Sequence, residues 1–506
     1  MSQTRLVLRG SASNIIRLIL STFIAFILPP FLVRHLLPAE YSAWVLILQL
    51  SAYVNLLDFG LQTALSKFVA EHHATGDKDA NYRLVSTSII ALLTAAIIGA
   101  GLVCLMVWRV PQLFHQMPVA LLHEVRLGLL MVGLSAAFSL PFSPFLAVFI
   151  GLQDYMIPTA VTSVSRILSA ALLIVLLLFH ARLTQLAAAI AICNLITAVA
   201  QWEVWRRYAR ERVAVAFPLF DRSSAAKLTK FGGAVAIWAL GGLCVSGLDT
   251  VIVGHFDYSN TGFYAVGASA VNFLVTIVSN VFDPLIPSVS SLQSRRLPAQ
   301  IGDIAIRVTR YCTLLLCGLG LPLFLGAFPL LRLWVGQQYA AASTSFLQIL
   351  LIGNLIRLLL YPYSLVIVAM GKQHLATVAV VAEAVVNLAV SIWLAHKMGA
   401  LGVAIGTIVG SSVSAILNLT VSMDLSRAAL LLKRSRFLLQ GLLRPLVCVI
   451  PALLFYPFWR RTEMLPANPL ALISWVILTL GIIWIVGLND VERKQVKSRF
   501  QRYQSL

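Results

Sequence analysis

The sequence predicts an all-α, polytopic membrane protein with about 14 transmembrane helices, arranged as two six-helix lobes plus two extra C-terminal helices. Three observations predict it. Hydrophobic residues make up 59% and charged residues 11% of the 506, against roughly 45–50% and about 25% in a soluble globular chain. The apolar residues collect in runs of about 20, each long enough to cross a ~30 Å hydrocarbon core as a helix. The connections are short, so no soluble domain is large enough to work independently.

In chain order the runs are 13–33, 42–62, 85–108, 126–149, 157–179, 183–203, 229–254, 261–288, 308–331, 343–370, 374–396, 400–422, 437–458 and 468–488. The first carries Arg17 and leads directly into further spans, so it reads as a retained helix, not a cleaved signal. Proline interrupts several spans, at Pro29 and Pro30, Pro141 and Pro144, Pro284 and Pro287, Pro322 and Pro362. Such prolines free carbonyls and suit moving helices and static bends alike.

Two echoes suggest a tandem repeat. Val33-Arg34-His35 followed by Tyr41 resembles Val253-Gly254-His255 followed by Tyr264, and Gly151-Leu152-Gln153 resembles Gly371-Lys372-Gln373. The offset is about six spans with their loops, so spans one to six and seven to twelve read as two copies. Six is even, so both copies enter the membrane the same way, the parallel-repeat arrangement. The expected organisation is an N-terminal lobe over 1–205, a basic cytoplasmic linker over 206–228, a C-terminal lobe over 229–425, and helices 13 and 14 with a basic cytoplasmic tail over 426–506.

The net charge of +19 is a matter of topology. About 26 of the 38 Lys and Arg lie in segments on the N-terminal side of the spans and about 8 on the opposite side. Loops retained in the cytoplasm are rich in Lys and Arg, so both termini are expected inside, and nucleic acid is not the expected partner. The six cysteines (Cys104, Cys193, Cys244, Cys312, Cys317 and Cys448) fall in or beside apolar runs without metal-ligand spacing and read as packing residues.

Polar residues inside the spans are the candidates for function. A charge at mid-bilayer costs roughly 2.5–3.5 kcal/mol on insertion scales, so each is expected to face the bundle interior or a wet cavity. Helical spacing collects Asn14, Arg17 and Ser21 on span one, and Ser51, Asn55, Asp58 and Gln62 on span two. Thr159, Thr162, Arg166 and Ser169 share a face of span five, and Ser246 and Asp249 lie close on span seven. Span eight carries Asn272, Thr276, Asn280 and Asp283; span ten Asn354, Arg357, Tyr361 and Ser364; span eleven Glu383, Asn387 and Ser391. Two readings stand side by side. The charges could pair with each other, Asp58 with Arg17 and Glu383 with Arg357, and hold helices together. Alternatively Arg17, Arg166 and Arg357 bind an anionic, phosphate-bearing substrate through their planar forks, while Asp58, Asp249 and Glu383 titrate or bind a coupling cation.

Catalytic constellations are missing. There is no glycine-rich phosphate loop ending in Lys-Ser or Lys-Thr, His72-His73 reads as solvated in a polar loop, and no outer loop carries paired carboxylates on a platform. The chain does not read as an enzyme, and no cofactor or metal is implied.

The order of short motifs resembles a known family. Leu36-Leu37-Pro38-Ala39-Glu40-Tyr41, running through Leu57-Asp58-Phe59-Gly60-Leu61 to Ala64, is similar to the first-loop and second-helix signature of polysaccharide flippases. These belong to the exporter superfamily that also holds multidrug extruders and the peptidoglycan lipid flippase. Asp249-Thr250-Val251-Ile252-Val253-Gly254 and Thr261-Gly262-Phe263-Tyr264-Ala265 resemble the seventh helix and the following loop. Trp334-Val335-Gly336, Tyr339, Gly371-Lys372 and Gly399-Ala400-Leu401-Gly402-Val403-Ala404 continue the likeness, which covers roughly 10–425.

The resemblance implies a V-shaped cavity lined by helices one, two, seven and eight. It also implies transfer of a polyprenyl-diphosphate-linked oligosaccharide across a bacterial inner membrane for polysaccharide biosynthesis, such as lipopolysaccharide O-antigen. Membrane lipids would be partners, with a polysaccharide polymerase or chain-length protein as candidate protein partners. Family members differ in their basic residues, so the three arginines rest on the local reading alone. Rival readings are a cation-coupled multidrug exporter of the same fold, a membrane sugar transferase or polymerase, and a non-transporting scaffold for envelope assembly.

Overall fold

The computed structural model describes residues 22–210, 213, 220–447, 450 and 469–482, and among them every regular element is helical. In the first part of the chain these are α1 (Thr22–His35), α2 (Pro38–Thr75), α3 (Lys78–Leu113), α4 (Val119–Gly151), α5 (Met156–Leu178) and α6 (Leu183–Tyr208). Next comes α7, built from Arg222–Gly242, a π-helical turn Leu243–Gly247 and Asp249–Phe256. The later helices are α8 (Tyr258–Ser294), α9 (Pro298–Leu325), α10 (Gln337–Ala369), α11 (His374–Met398) and α12 (Ala400–Arg427). A short helix, Ala327–Val335, precedes α10. Then α13 runs through Arg434–Phe437, Leu438–Leu443 and Arg444–Val447, and α14 is Pro469–Ile482.

Ten of these helices, α2 to α6 and α8 to α12, are long and apolar enough to cross a membrane. This is a multi-pass, all-α membrane protein. The helices at the positions expected for spans one, seven, thirteen and fourteen are shorter or less apolar over their described length.

The starts of the helices follow local chemistry. Pro38 opens α2, where its missing N–H costs nothing, and Glu40 accepts from the Leu37 N–H at 2.9 Å. Asp77 caps α3 through the Ala80 N–H at 2.9 Å. Asp221, ahead of α7, accepts from the Ser224 N–H at 2.8 Å and from the hydroxyls of Ser223 and Ser224 at 2.7 and 2.6 Å. Those donors favour the charged form and hold its carboxyl well below the usual range.

The chain packs as two compact units, Met1–Gly262 and Phe263–Leu506. The expected second lobe begins at 229, but α7 packs with the first unit, for a physical reason. It runs antiparallel to α2 and meets it repeatedly. A Cβ on Gly232 would stand 2.7 Å from the Phe59 carbonyl oxygen, and one on Gly254 would stand 2.8 Å from Leu46. Beyond α7, the Tyr258 hydroxyl donates to the Ala39 carbonyl at 2.8 Å and the Gly262 N–H to Ser42 Oγ at 3.0 Å. The packing boundary therefore falls at Gly262, after α7. Part of the 206–228 linker and most of the tail after 447 lie outside the described residues.

In the first unit, Leu65, Val69, Leu84, Val85, Val148 and Phe149 form a dry core between α2, α3 and α4. In the second, Ile301, Ala305, Tyr363, Val366, Met423 and Phe437 join α9, α10, α12 and α13. The tightest packing is between α11 and α12, which are linked by Gly399 alone. Gly402, Gly406 and Gly410 lie four apart on one face of α12, against Leu394, Ser391 and Asn387 of α11. A Cβ on Gly410 would stand 2.7 Å from that of Asn387, and one on Gly406 would collide with Ser391 Oγ. This is the small-residue packing by which helices associate closely in lipid.

Candidate functional site

In the first unit the polar residues gather where α2 is broken. Its α-helical turns stop at Ala52, a 3-10 segment covers Tyr53–Asp58, and helix resumes at Leu61. Phe59 and Gly60 have φ of 45° and 70°, a left-handed pair that glycine tolerates freely and phenylalanine does not. Asp58 sits at this break, half-buried. Its Oδ1 is shielded and has no hydrogen-bond partner, and the Gln62 backbone N–H is its hydrogen-bonding neighbour.

One helical turn and more away, the π-helical turn of α7 presents the Gly247 carbonyl to α2. Gln49 Nε2 donates to it at 2.8 Å and the Tyr53 hydroxyl at 2.6 Å. A π-turn leaves carbonyls without their usual i+4 partner, and these two side chains supply donors for one of them. Asp249 is 5% exposed and close enough to Tyr53 to interact with it electrostatically. The result is a polar contact between two interrupted helices, with Asp249 beside Tyr53 and Asp58 at the break further along α2.

The second unit builds two polar groups. At the first, α8 breaks at Asp283-Pro284 and α10 at Leu360, ahead of Pro362. The Tyr361 hydroxyl donates to Asp283 Oδ1 at 2.5 Å and joins the two breaks. At the second, Arg357 of α10 faces Glu383 of α11, with Nε 3.2 Å from Oε1. Glu383 also accepts from Ser411 Oγ of α12 at 3.4 Å, and lower on α11 Ser391 Oγ donates to Asn387 Oδ1 at 2.9 Å. Glu383 and Asn387 are 4% and 1% exposed. The Arg357–Glu383 contact has ion-pair distance but lacks hydrogen-bond alignment, and Arg357 Nη2 is shielded with no hydrogen-bond partner. The guanidinium is therefore charge-balanced with spare donor capacity.

The expected site residues thus separate. Asp58 and Asp249 both lie in the first unit, Asp58 at the break in α2 and Asp249 beside Tyr53. Arg357 and Glu383 stand at ion-pair distance, while Arg357 keeps donors without a hydrogen-bond partner. Asp283 and Tyr361 bond, Asn387 is buried beside Ser391, and Asn280 is half-buried on α8. Asn354 Nδ2 donates to the Leu350 carbonyl of its own helix at 2.9 Å. Asn55 is exposed on α2, and Arg166 is exposed on α5 without an ion pair or hydrogen bond among the described residues. Asn14 and Arg17 lie outside the described residues, so the Asp58–Arg17 pairing is not described either.

Sequence reading missed Gln49 and Tyr53, which lie beside the stripe it followed on span two. It also missed Arg310, buried on α9 with its guanidinium carbon 5.5 Å from the Tyr311 ring. A charge inside an otherwise apolar run was the available signal for Arg310.

The family described as "Polysaccharide biosynthesis protein" matches residues 7–293. This chain belongs to that family. The match takes in every described helix of the first unit and α8 as far as residue 293. A Shigella flexneri relative of this polysaccharide biosynthesis protein, named "Putative O-antigen transporter", is 22% identical over 412 residues, covering 79% of this chain and 93% of the relative. Among solved structures, "Lipid II flippase MurJ, inward closed conformation" is similar with a TM-score of 0.68 at 13% identity, over 94% of this chain and 99% of that one. An inward-facing multidrug resistance transporter of the MATE family, in the MOP superfamily, is similar with a TM-score of 0.65 at 13% identity, over 81% and 95%. At such identities the likeness is one of fold, and the fold is that of polytopic flippases and exporters.

Proposed function

We propose that this protein is a flippase that moves a polyprenyl-diphosphate-linked oligosaccharide across the bacterial cytoplasmic membrane by alternating access. The observation that carries the reading is the family match over residues 7–293, supported by a relative named as an O-antigen transporter along nearly its whole length. The helices belong to two repeats, 1–205 and 229–425, with both termini in the cytoplasm. Arg17, Arg166 and Arg357 hold the diphosphate, and Asn, Ser, Thr and Tyr side chains bond the sugars. The spare Arg357 Nη2 and the unpaired Arg166 support this assignment. The discontinuous helices α2, α7, α8 and α10 fit a transporter, since irregular backbone at membrane depth is tolerated only where protein or a wet cavity satisfies it. The relative named as an O-antigen transporter supports a transport role over a catalytic one.

Purified protein in liposomes, given a polyprenyl-diphosphate oligosaccharide in one leaflet, tests the proposal. A membrane-impermeant glycosidase should gain access to sugar placed in the inner leaflet at a protein-dependent rate. No protein-dependent access would overturn it. Full activity in an Arg166→Ala, Arg357→Ala double variant would remove the arginine assignment and leave the flippase reading standing.

The shielded Asp58 oxygen and the fold shared with a multidrug exporter favour a second reading, cation-coupled export of a lipophilic cation. Efflux of such a dye driven by an imposed proton or sodium gradient, with no sugar translocation, would select it.

A further inference from the structure

The connection between α12 and α13 encloses a cavity of about 300 Å³ away from the polar groups described above. This is the lower end of the range for small-molecule sites. It is lined by the basic residues Arg427, Lys433 and Arg434, by Ser435, by one carboxylate, Asp424, and by the apolar Met423 and Leu432. The charged lining groups therefore sum to +2.

The frame is rigid. Leu430, Leu432 and Phe437 are buried in the core of the second unit. The Leu430 carbonyl lies against Gly302, where a Cβ would collide with it. Tyr363 bonds Ser426 at 2.9 Å and packs edge-on against Phe437. Arg434 is fixed by Asp424 at 2.7 Å and by the Thr420 carbonyl at 2.9 Å, and it has a shielded, unpartnered Nε. Arg427 and Lys433 are exposed, and among the described residues their side chains have no hydrogen bond or ion pair. Two exposed cations without a bond among the described residues thus line this hollow.

The hollow lies at the end of a membrane span, because α12, long and apolar enough to cross a membrane, ends at Arg427. From Ser435 an apolar face descends α13 through Leu439, Leu443 and Val447, which are 60%, 54% and 51% exposed. A soluble anion would use the cations alone; an anionic lipid would use the cations for its phosphate and the leucine track for its chains.

We propose that this cavity binds the phosphate group of an anionic membrane phospholipid. The lipid is a resident ligand, and the assignment stands whether or not the transported substrate is the one proposed above. A basic residue at a membrane surface is worth about fivefold in affinity for anionic lipid, so removing Arg427 and Lys433 together should cost roughly thirtyfold.

Native mass spectrometry of the full-length protein with phosphatidylglycerol or phosphatidylcholine tests this. The expected result is selective retention of phosphatidylglycerol, lost in Arg427→Gln, Lys433→Gln and kept in Arg295→Gln, Arg296→Gln, an exposed basic pair elsewhere. Asp424→Asn removes the opposing charge and should tighten retention, a gain that a misfolded variant cannot produce. Displacement of the lipid by millimolar inorganic phosphate would assign the shared phosphate chemistry to a soluble source. Retention that is unchanged in the Arg427, Lys433 variant, or lost equally in the Arg295, Arg296 variant, would overturn the proposal.

Discussion

The two units place a carboxylate within a helix in opposite ways. Asp58 stands at a break in α2 with a shielded oxygen that nothing bonds. Glu383 lies in an unbroken stretch of α11, opposite Arg357 and beside Ser411, where three glycines on α12 close the packing. The difference teaches that intramembrane charge is not a single kind of feature. A paired charge in close-packed surroundings belongs to the scaffold, because removing one partner strands the other. An unpaired one beside irregular backbone costs stability and is available to bind or titrate.

That contrast can be broken, beginning with the largest effect. Gly406→Val should prevent α11 and α12 from closing and abolish recovery of monodisperse protein, with a cost at or above the usual ~3 kcal/mol for overpacking. Size-exclusion chromatography after extraction reads it. Glu383→Ala leaves Arg357 unbalanced and should cost about 3 kcal/mol, seen as a lower thermal midpoint; Arg357→Met with Glu383→Leu should recover most of the loss. Full stability in Glu383→Ala alone would show the pair to be incidental.

Smaller effects sharpen the other side. Gln49→Ala and Tyr53→Phe should each cost about 1 kcal/mol, and the double variant more than their sum, since the Gly247 carbonyl then loses both donors. Asp221→Ala should lower the midpoint slightly at neutral pH. The carboxyl is held low in the folded chain, so its contribution is complete above the ordinary carboxylate range and fades only as pH falls through the depressed value. Asp58→Asn should leave stability unchanged or slightly raised while reducing transport at least tenfold. A clear loss of stability would place Asp58 with the scaffold.

The helices were legible because lipid demands long apolar runs, and the breaks at Pro284 and Pro362 because proline removes a donor. The 3-10 segment at Tyr53 and the π-turn at Leu243 have no such mark. They stand where side chains of α2 bond a carbonyl of α7, a tertiary contact that no single segment encodes. Spacing placed Arg357 and Glu383 on faces that could meet, but the choice between binding substrate and binding each other depended on three-dimensional approach. Gln49 and Tyr53 escaped notice because their role is defined by a carbonyl nearly 200 residues away.

The one-residue link between α11 and α12 bears on how the chain is made. Alone, α11 would carry Glu383, Asn387 and Ser391 into hydrocarbon, and the carboxylate by itself would oppose partitioning from the translocon. With Gly399 as the only connector, the glycine face of α12 emerges from the ribosome almost at once and can cover those groups before either helix meets lipid. Biogenesis should therefore deliver the two as a single hairpin, and lengthening that link would expose the cell to a stalled, half-inserted intermediate.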